Sequence, residues 1–449
     1  MDPVIDRYAR RASPRYTSYP TAPHFGKEVD ESCYRGWLAE LDPAAPVSLY
    51  LHVPFCRQMC WYCGCNMKLA SRYDPVADYA RTLRKEIALT ADALPGRMTV
   101  SHLHWGGGTP TALSPDDLAI LMDDVRARWD FAPDAEIAIE SDPRTLTPEM
   151  AARIGALGFT RASFGVQEFD LKVQKAINRV QPPAMVRDAV EQLRAGGVSG
   201  INFDLIYGLP YQTVESLVET VKLSAAMRPD RVALFGYAHV PWMAKNQRMI
   251  EDSVLPGAEE RAAQASAAAE ALAAEGYVAI GLDHFALPDD DLAIAARDGW
   301  LRRNFQGYTT DQAETLIGLG ATSIGRTPAG YLQNIAETGA WARAVETGHL
   351  PVAKGRAFIG EDRLRAEVIE RLMCDGHVDA ARIGAKHGAP ADWWRDAEAC
   401  LSEMQADGLV SVSEGKVTMT DRGRPLVRLA AAAFDAYLAN STARHSVAV

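Results

Sequence analysis

The sequence predicts an α/β protein: a barrel of parallel strands, or part of one, followed by a smaller and mainly helical domain. Three observations lead there. Short apolar runs recur at Val47–Val53, Val100–Trp105, Glu136–Glu140, Arg161–Val166, Ile201–Tyr207, Arg231–Tyr237 and Val278–Leu282. Helical patterns lie between most of them, and strand–helix alternation means parallel strands joined by crossover helices. Beyond about residue 287 that rhythm stops.

Each element has its own local reason. In Val47–Val53 the residues Val47, Leu49, Leu51 and Val53 face one way, so Tyr50 and His52 face the other. Tyr50 then looks into the barrel, and His52 reads as an interior histidine rather than a ligand. Tyr79, Leu83 and Ile87 recur at helical spacing. Ser114–Asp117 and Thr147–Glu149 each supply a cap residue, a first-turn proline and acids where a helix N-terminus favours them. Six or more strand–helix units make a barrel or a portion of one.

Past the barrel, Pro288–Asp291 is an acidic turn and Arg302–Thr310 a polar stretch. Glu361–Cys374 and Trp393–Asp407 read as helices, Leu409–Val412 and Lys416–Met419 as a hairpin, and Pro425 to Ala439 as a final helix. This order is similar to a winged helix, for which a packing or lid role is expected rather than DNA binding. The resulting division is an N-terminal segment at 1–46, the barrel at 47–290, a connecting segment at 291–355, and the C-terminal domain at 356–449; the family resemblance given below implies a substrate or lid role for the first and an active-site role for the third.

Composition sets outer limits. A chain of 449 residues with 48% hydrophobic and 23% charged residues is neither disordered nor collagen-like. No apolar run approaches the roughly 18 to 20 residues that span a bilayer, and Met1–Pro14 lacks an apolar signal core. A soluble, cytoplasmic monomer is expected, with no membrane partner. The net charge of −11 argues against a nucleic-acid partner bound through a broad basic face. It leaves room for a local basic pocket.

The cysteines are clustered. Of 7 in the chain, Cys56, Cys60, Cys63 and Cys65 fall within one short segment. Cys33, Cys374 and Cys400 are scattered and read as small buried hydrophobes. Thiolates are soft ligands for iron–sulfur clusters and zinc. The spacing Cys56-x3-Cys60-x2-Cys63 can wrap three corners of a 4Fe-4S cube, leaving the fourth iron to a small molecule. Cys65 leaves two other sites open, a structural zinc site or a closed, electron-carrying cluster.

That spacing resembles the radical S-adenosyl-L-methionine (SAM) superfamily, and Tyr62 fits the aromatic residue found beside the third cysteine. The resemblance implies a partial (β/α)6 radical SAM barrel in which the open iron chelates SAM. Other residues fit a SAM site. Gly106–Pro110 follows the second apolar run, and glycines let backbone approach a ligand closely. Glu140 ends the third run, where a carboxylate can accept ribose hydroxyls. Gln167, Asp204 and Ala238–His239 end the next runs, on the side where parallel barrels build sites.

Six segments carry a narrower likeness: Pro14–Thr21, His52–Cys56, Cys63–Asn66, His104–Pro110, Asp204–Pro210 and Arg303–Thr310. Over nearly the whole chain they resemble the oxygen-independent coproporphyrinogen III oxidase family. The resemblance implies oxidative decarboxylation of two propionates of coproporphyrinogen III to vinyl groups, giving protoporphyrinogen IX in haem biosynthesis. A 5′-deoxyadenosyl radical abstracts the hydrogen, and the electron donor and acceptor are unidentified. It implies Cys56, Cys60 and Cys63 as cluster ligands, and Cys65 as a functional residue that is not a ligand. Two SAM molecules are implied. Tyr50, Gly107, Glu140 and Ile324 would serve the cluster-bound one. Tyr62, Gly108, Thr109, Gln167, Arg179, Asp204 and Ala238 would serve the second. Gln306 falls in a stretch tied to activity. Two departures stand out: the position of Tyr62 is often phenylalanine, and Gly320–Gly325 around Ile324 is a loose match.

The chemistry agrees with this design. No side-chain base removes a hydrogen from an unactivated propionate carbon, so the hard step belongs to a cofactor. The protein positions that bond and excludes water. The substrate carries four carboxylates, and arginine forks grip carboxylates. Arg15, Arg302 and Arg303 are candidates. The alternatives are a non-catalytic haem-trafficking relative, or another radical SAM activity such as methylation on the same scaffold. The trafficking relative typically lacks a cysteine at the Cys65 position, the Phe305–Tyr308 stretch and the Pro14–Thr21 motif, and this chain has all three.

Overall fold

The computed structural model describes residues 3–438. The chain forms two compact units, each discontinuous in sequence. One comprises Phe25–Ala271 and Asp311–Ala357; the other comprises the chain through His24, Leu272–Thr310 and the chain from Phe358 onward. A division into contiguous segments cuts across these units. Residues 311–357 go with the barrel because they add strands to its sheet.

In the first unit, strands β1 (Val47–Val53), β2 (Thr99–Gly107), β3 (Asp130–Ser141), β4 (Arg161–Gln167), β5 (Gly200–Tyr207) and β6 (Arg231–Gly236) lie side by side in chain order. Every neighbouring pair is parallel. Helices α1 (Asp74–Ala91), α2 (Pro115–Arg128), α3 (Pro148–Ala156), α4 (Leu171–Ala176), α5 (Pro183–Ala195) and α6 (Val214–Ala225) occupy the crossovers. This is the partial (β/α)6 barrel that the family resemblance implies, and the part-barrel that the alternation predicts. Val47, Leu49, Leu51 and Val53 are buried, while Tyr50 on the opposite face is only partly so. The predicted caps form as well: Ser114 accepts the N–H of Asp117, and Thr147 that of Met150, each worth about 1 kcal/mol.

Beyond the other edge of β1 the sheet continues with strands the sequence analysis does not anticipate. β7 (Thr315–Leu319) pairs with β1 in parallel, setting Gly318 opposite Tyr50. β8 (Ile324–Thr327), β9 (Gly330–Asn334) and β10 (Val352–Ala357) follow as an antiparallel meander. The turn between β7 and β8 is held from α1. Glu86 accepts hydrogen bonds from Gly320 N–H at 2.7 Å, Asn334 Nδ2 at 2.6 Å and Trp341 Nε1 at 3.0 Å. Tyr79 stacks on Trp341 with centroids 4.4 Å apart, and its hydroxyl donates to the His52 carbonyl at 2.7 Å and accepts from Ala321 N–H at 2.9 Å. Burial pushes the Glu86 carboxyl up to about 8 despite its three donors.

The β2 terminus needs glycine for two distinct reasons. Gly107 has φ +117°, a conformation that side chains resist. At Gly108 a Cβ would lie 2.8 Å from the backbone N and O of Phe55, the residue before Cys56. Backbone cannot swing aside as a side-chain tip can.

In the second unit, the helices Asp362–Asp375 and Arg395–Ala406 pack with a small antiparallel sheet of His377–Asp379, Lys416–Met419 and Val410–Ser413, in that spatial order. Tyr8, Tyr16 and Tyr19 join this core beside Leu372, Leu401 and Phe434. The final helix is shorter than expected, Val427–Ala432. Asp435 explains its end: Oδ1 accepts the N–H groups of Tyr437 at 2.9 Å and Leu438 at 3.2 Å, so a side chain replaces the helical bonds. Ala439 lies outside the described residues. Val278–Ile280 pairs antiparallel with His284–Ala286 as a hairpin. Of the scattered cysteines only Cys374 is buried; Cys33 is half-buried and Cys400 exposed. No described helix is long and apolar enough to cross a membrane.

Two predictions follow from these contacts. Gly108→Ala lowers stability by about 1–3 kcal/mol through overpacking against backbone. Gly64→Ala, where a Cβ meets nothing within 4 Å, stays within about 0.5 kcal/mol of the native chain. Equal thermal midpoints for the two variants would contradict this. Glu86 sets a pH dependence. Its folded value of about 8 lies above the ordinary carboxyl value near 4.3, so folding takes up a proton between them. The contribution is complete below the unfolded value and is lost as pH rises toward 8. Glu86→Gln should flatten that part of a stability-versus-pH curve.

Candidate cluster and cofactor site

The three cysteines sit on one loop pinned at its base. Phe55–Cys56 and Lys68–Leu69 pair in parallel, and the N–H groups of Lys68 and Ala70 donate to the carbonyls of Pro54 and Cys56 at 2.6 and 3.0 Å. The loop backbone is then clamped from outside. Asn246 Nδ2 lies 3.1, 3.2 and 2.8 Å from the carbonyl oxygens of Cys60, Trp61 and Cys63. Gln247 Nε2 donates to the Tyr62 carbonyl at 2.8 Å and to that of Ala238 at 3.2 Å. Asn178 Nδ2 donates to the Met59 carbonyl at 2.7 Å.

Each sulfur has a polar neighbour. Cys56 Sγ lies 3.4 Å from Thr109 Oγ1. Cys60 Sγ accepts from Arg144 Nη2 at 3.3 Å and Arg179 Nη1 at 3.4 Å. Cys63 Sγ accepts the N–H of Cys65 at 3.4 Å. Hydrogen bonding from Cys65, with Arg179 nearby, pulls the Cys63 thiol down to about 7, whereas burial pushes Cys56 up to about 11. Cys65 itself is exposed.

Asp142 ties the two guanidiniums together, 2.6 Å from Arg144 Nη2 and 3.4 Å from Arg179 Nη1. Arg179 also donates Nε to the Gly165 carbonyl at 3.0 Å. All of these groups are buried, so the pair of arginines is held in place rather than tethered loosely. Against their burial, Arg179 and then Arg144 keep the Asp142 carboxyl below its usual range.

The strands supply the remaining residues: Gly107, Glu140 and Gln167 at or next to their ends, and Tyr50, His104 and Asp204 within them, so Asp204 does not end its strand as expected. Tyr50 Oη lies 2.9 Å from His52 Nδ1, and its ring is 5.9 Å from that of His104. His104 Nε2 is 3.2 Å from Glu140 Oε1, and the Gly107 N–H donates to Glu140 Oε2 at 3.2 Å. Tyr50, Gly107 and Glu140 are therefore one connected group. Ile324 joins it across Gly318, whose Cβ would lie 2.8 Å from the Ile324 carbonyl oxygen. Gln167, Arg179 and Asp204 form a second group around Gly165: a Cβ there would meet Gln167 Nε2 at 2.5 Å and Arg179 Nη2 at 3.2 Å, and Asp204 pairs opposite it. Burial, and then the charge of Glu140, push Asp204 up to about 7. Tyr62 and Ala238 are linked through Gln247. Gln306 belongs to the other unit, exposed in the turn between Arg302–Asn304 and Gly307–Thr309, with its N–H donating to Asn304 Oδ1 at 2.9 Å.

These residues fit a cluster and an organic cofactor. Gln167 has φ +67° and a buried Oε1 that meets no donor among the described residues; strain and an orphaned acceptor together mark a ligand-facing position. Two arginines aimed at one cysteine sulfur suit a site that must carry negative charge. Asp142, Arg144, Asn246 and Gln247 join the site without having been singled out from the sequence. Asp142–Pro143–Arg144 had a signal, lying just past Glu140 at a strand end; Asn246 and Gln247 sit in an irregular loop that carries none.

Known proteins agree with this picture. The radical SAM superfamily model matches residues 50–224, and the HemN C-terminal domain model matches residues 360–426. The chain is 50% identical over 442 residues to an oxygen-independent coproporphyrinogen III oxidase of Bradyrhizobium diazoefficiens, covering 98% of each. It is 39% identical over 445 residues to the protein of the same name from Synechocystis sp., covering 98% of this chain and 95% of the relative. The solved structure of coproporphyrinogen III oxidase from Escherichia coli, described as a radical SAM enzyme, superposes with a TM-score of 0.90 at 38% identity, covering 94% of this chain and 98% of that one. A likeness of this extent, across both the barrel and the C-terminal residues, shows that the chain belongs to the oxygen-independent coproporphyrinogen III oxidase family of radical SAM enzymes.

Proposed function

We propose that the chain oxidatively decarboxylates two propionates of coproporphyrinogen III to vinyl groups, with Cys56, Cys60 and Cys63 holding a 4Fe-4S cluster and SAM binding at the strand ends. The observation that carries this is the open set of three sulfurs, one of them facing Arg144 and Arg179, on the same barrel rim as Glu140, Gln167 and Asp204. When bound, the cluster and SAM supply the radical that removes hydrogen from an unactivated carbon.

The chain's own residues bind and orient. Arg144 and Arg179 balance negative charge on the sulfur side without adding a ligand. Gly107 and Gly108 let backbone approach the methionine part of SAM, and Glu140 offers carboxylate oxygens to ribose hydroxyls. Two connected groups of polar residues, one around Tyr50 and Glu140 and one around Gln167 and Asp204, suit two SAM molecules, one for each propionate. With its carboxyl near 7, Asp204 can hold a proton beside Glu140 and so donate as well as accept.

The direct test incubates reconstituted protein, free of oxygen, with SAM, a reductant and coproporphyrinogen III. Protoporphyrinogen IX should appear with about two 5′-deoxyadenosine per product. Tight haem binding without turnover would instead identify a trafficking protein. Cys65 gives a second test. Cys65→Ser should retain iron content and cluster absorption but lose turnover, whereas Cys60→Ser loses the cluster. Loss of iron in Cys65→Ser would mean a closed, four-cysteine site.

A further inference from the structure

The second unit carries a cation with unused donors. Arg303 lies opposite Tyr308 in the hairpin of Arg302–Asn304 and Gly307–Thr309, and its guanidinium stacks on the Tyr308 ring, 4.4 Å from the centroid. That ring is fixed: its hydroxyl donates to the Met373 carbonyl at 2.9 Å and accepts from Leu282 N–H at 3.1 Å, and His284 meets it edge-on at 5.2 Å. Arg303 Nη2 reaches the Arg15 carbonyl at 3.5 Å, but the buried Nε and Nη1 have no acceptor among the described residues.

Its neighbours are already engaged. Arg302 donates Nε to Glu370 Oε1 at 3.0 Å. The Asp283 carboxylate pairs with His284, Nδ1 to Oδ1 at 2.7 Å, and its charge offsets part of that of Arg303 while leaving the donors Nε and Nη1 unmet. Arginine does not shed its proton to escape burial, and a buried cation with unmet donors is costly unless an anion completes it. Arg15, exposed beside it, adds positive charge.

We propose, on the strength of the substrate reading above, that Arg303 binds a propionate of the porphyrinogen, and one of the two that are retained. The second half follows from charge. A carboxylate about to leave as CO₂ must give up its negative charge, and a buried cation paired with it would oppose that loss. A retained propionate keeps its charge throughout and serves as a fixed handle. Arg302, of similar sequence appearance, is occupied by Glu370 and plays no such part.

The test uses the full chain and the stable oxidised porphyrins, with binding read by fluorescence quenching. Arg303→Gln should weaken coproporphyrin III and protoporphyrin IX by the same factor, about 10- to 100-fold, because both keep the two spectator propionates. Coproporphyrin tetramethyl ester, which has no carboxylate, should bind both proteins alike. Arg303→Lys, which keeps the charge and much of the stem, should fall between and guards against a folding defect in the glutamine variant. Unchanged affinity for both acids overturns the proposal, and weakening confined to coproporphyrin overturns the retained-propionate assignment. A native chain that binds neither acid would refute the substrate reading itself.

Discussion

Everything at the cofactor site depends on compensating negative charge inside a barrel mouth. Thiolates are poorly tolerated where water is excluded, yet a radical reaction demands that exclusion. The chain meets both demands with Arg144 and Arg179, which reach Cys60 Sγ at 3.3 and 3.4 Å and are locked to each other through Asp142. Asp142 spaces two like charges that would otherwise repel. One nitrogen of each, Arg144 Nη2 and Arg179 Nη1, still reaches the sulfur. Neither arginine is a ligand, so the cation count can rise without closing the cluster.

The same constraint organises the rest of the rim. Glu140 and Asp204 add carboxylates to a site already rich in negative charge, and the strain shows in Asp204, whose carboxyl rises to about 7 under burial and the field of Glu140. Glu140 is relieved by His104 and by the Gly107 N–H. On the far side of β1, Glu86 performs an analogous task without facing any cofactor. It gathers Gly320, Asn334 and Trp341, and thereby sets the turn that leads into Ile324. Position at the rim is thus inherited from buried polar contacts one layer deeper.

How much of this could be read from residues alone varies with the physics involved. The six parallel strands were legible because buried parallel strands are continuous apolar runs, and Val47–Val53 matches its predicted bounds. Ser114 and Thr147 announced their helices because capping is local. The meander from Thr315 to Ala357 was not legible: its strands are short, rich in glycine and polar residues, and stabilised by pairing with β1 and one another. Asn246 escaped for a related reason. Its importance lies in three carbonyls some 185 positions away, a relation no local pattern encodes. The roles assigned to the rim residues came from likeness to a family; the fold supplies the proximity of most of those in the barrel unit, and Gln306 belongs to the other unit.

A net charge of −11 runs against a tetracarboxylate substrate, but net charge is the wrong scale. At physiological salt a surface charge is screened over roughly 8 Å, so the acids spread over the exterior do little at a buried site. What matters is the handful of cations removed from water. In the second unit that cation is Arg303 on its tyrosine, while Arg144 and Arg179 in the barrel face the Cys60 sulfur. Each is fixed by packing before any ligand arrives, so little rotamer freedom remains to be lost on binding. Burial that would make a lone cation a liability is what makes it selective, because only an anion of the right shape relieves it.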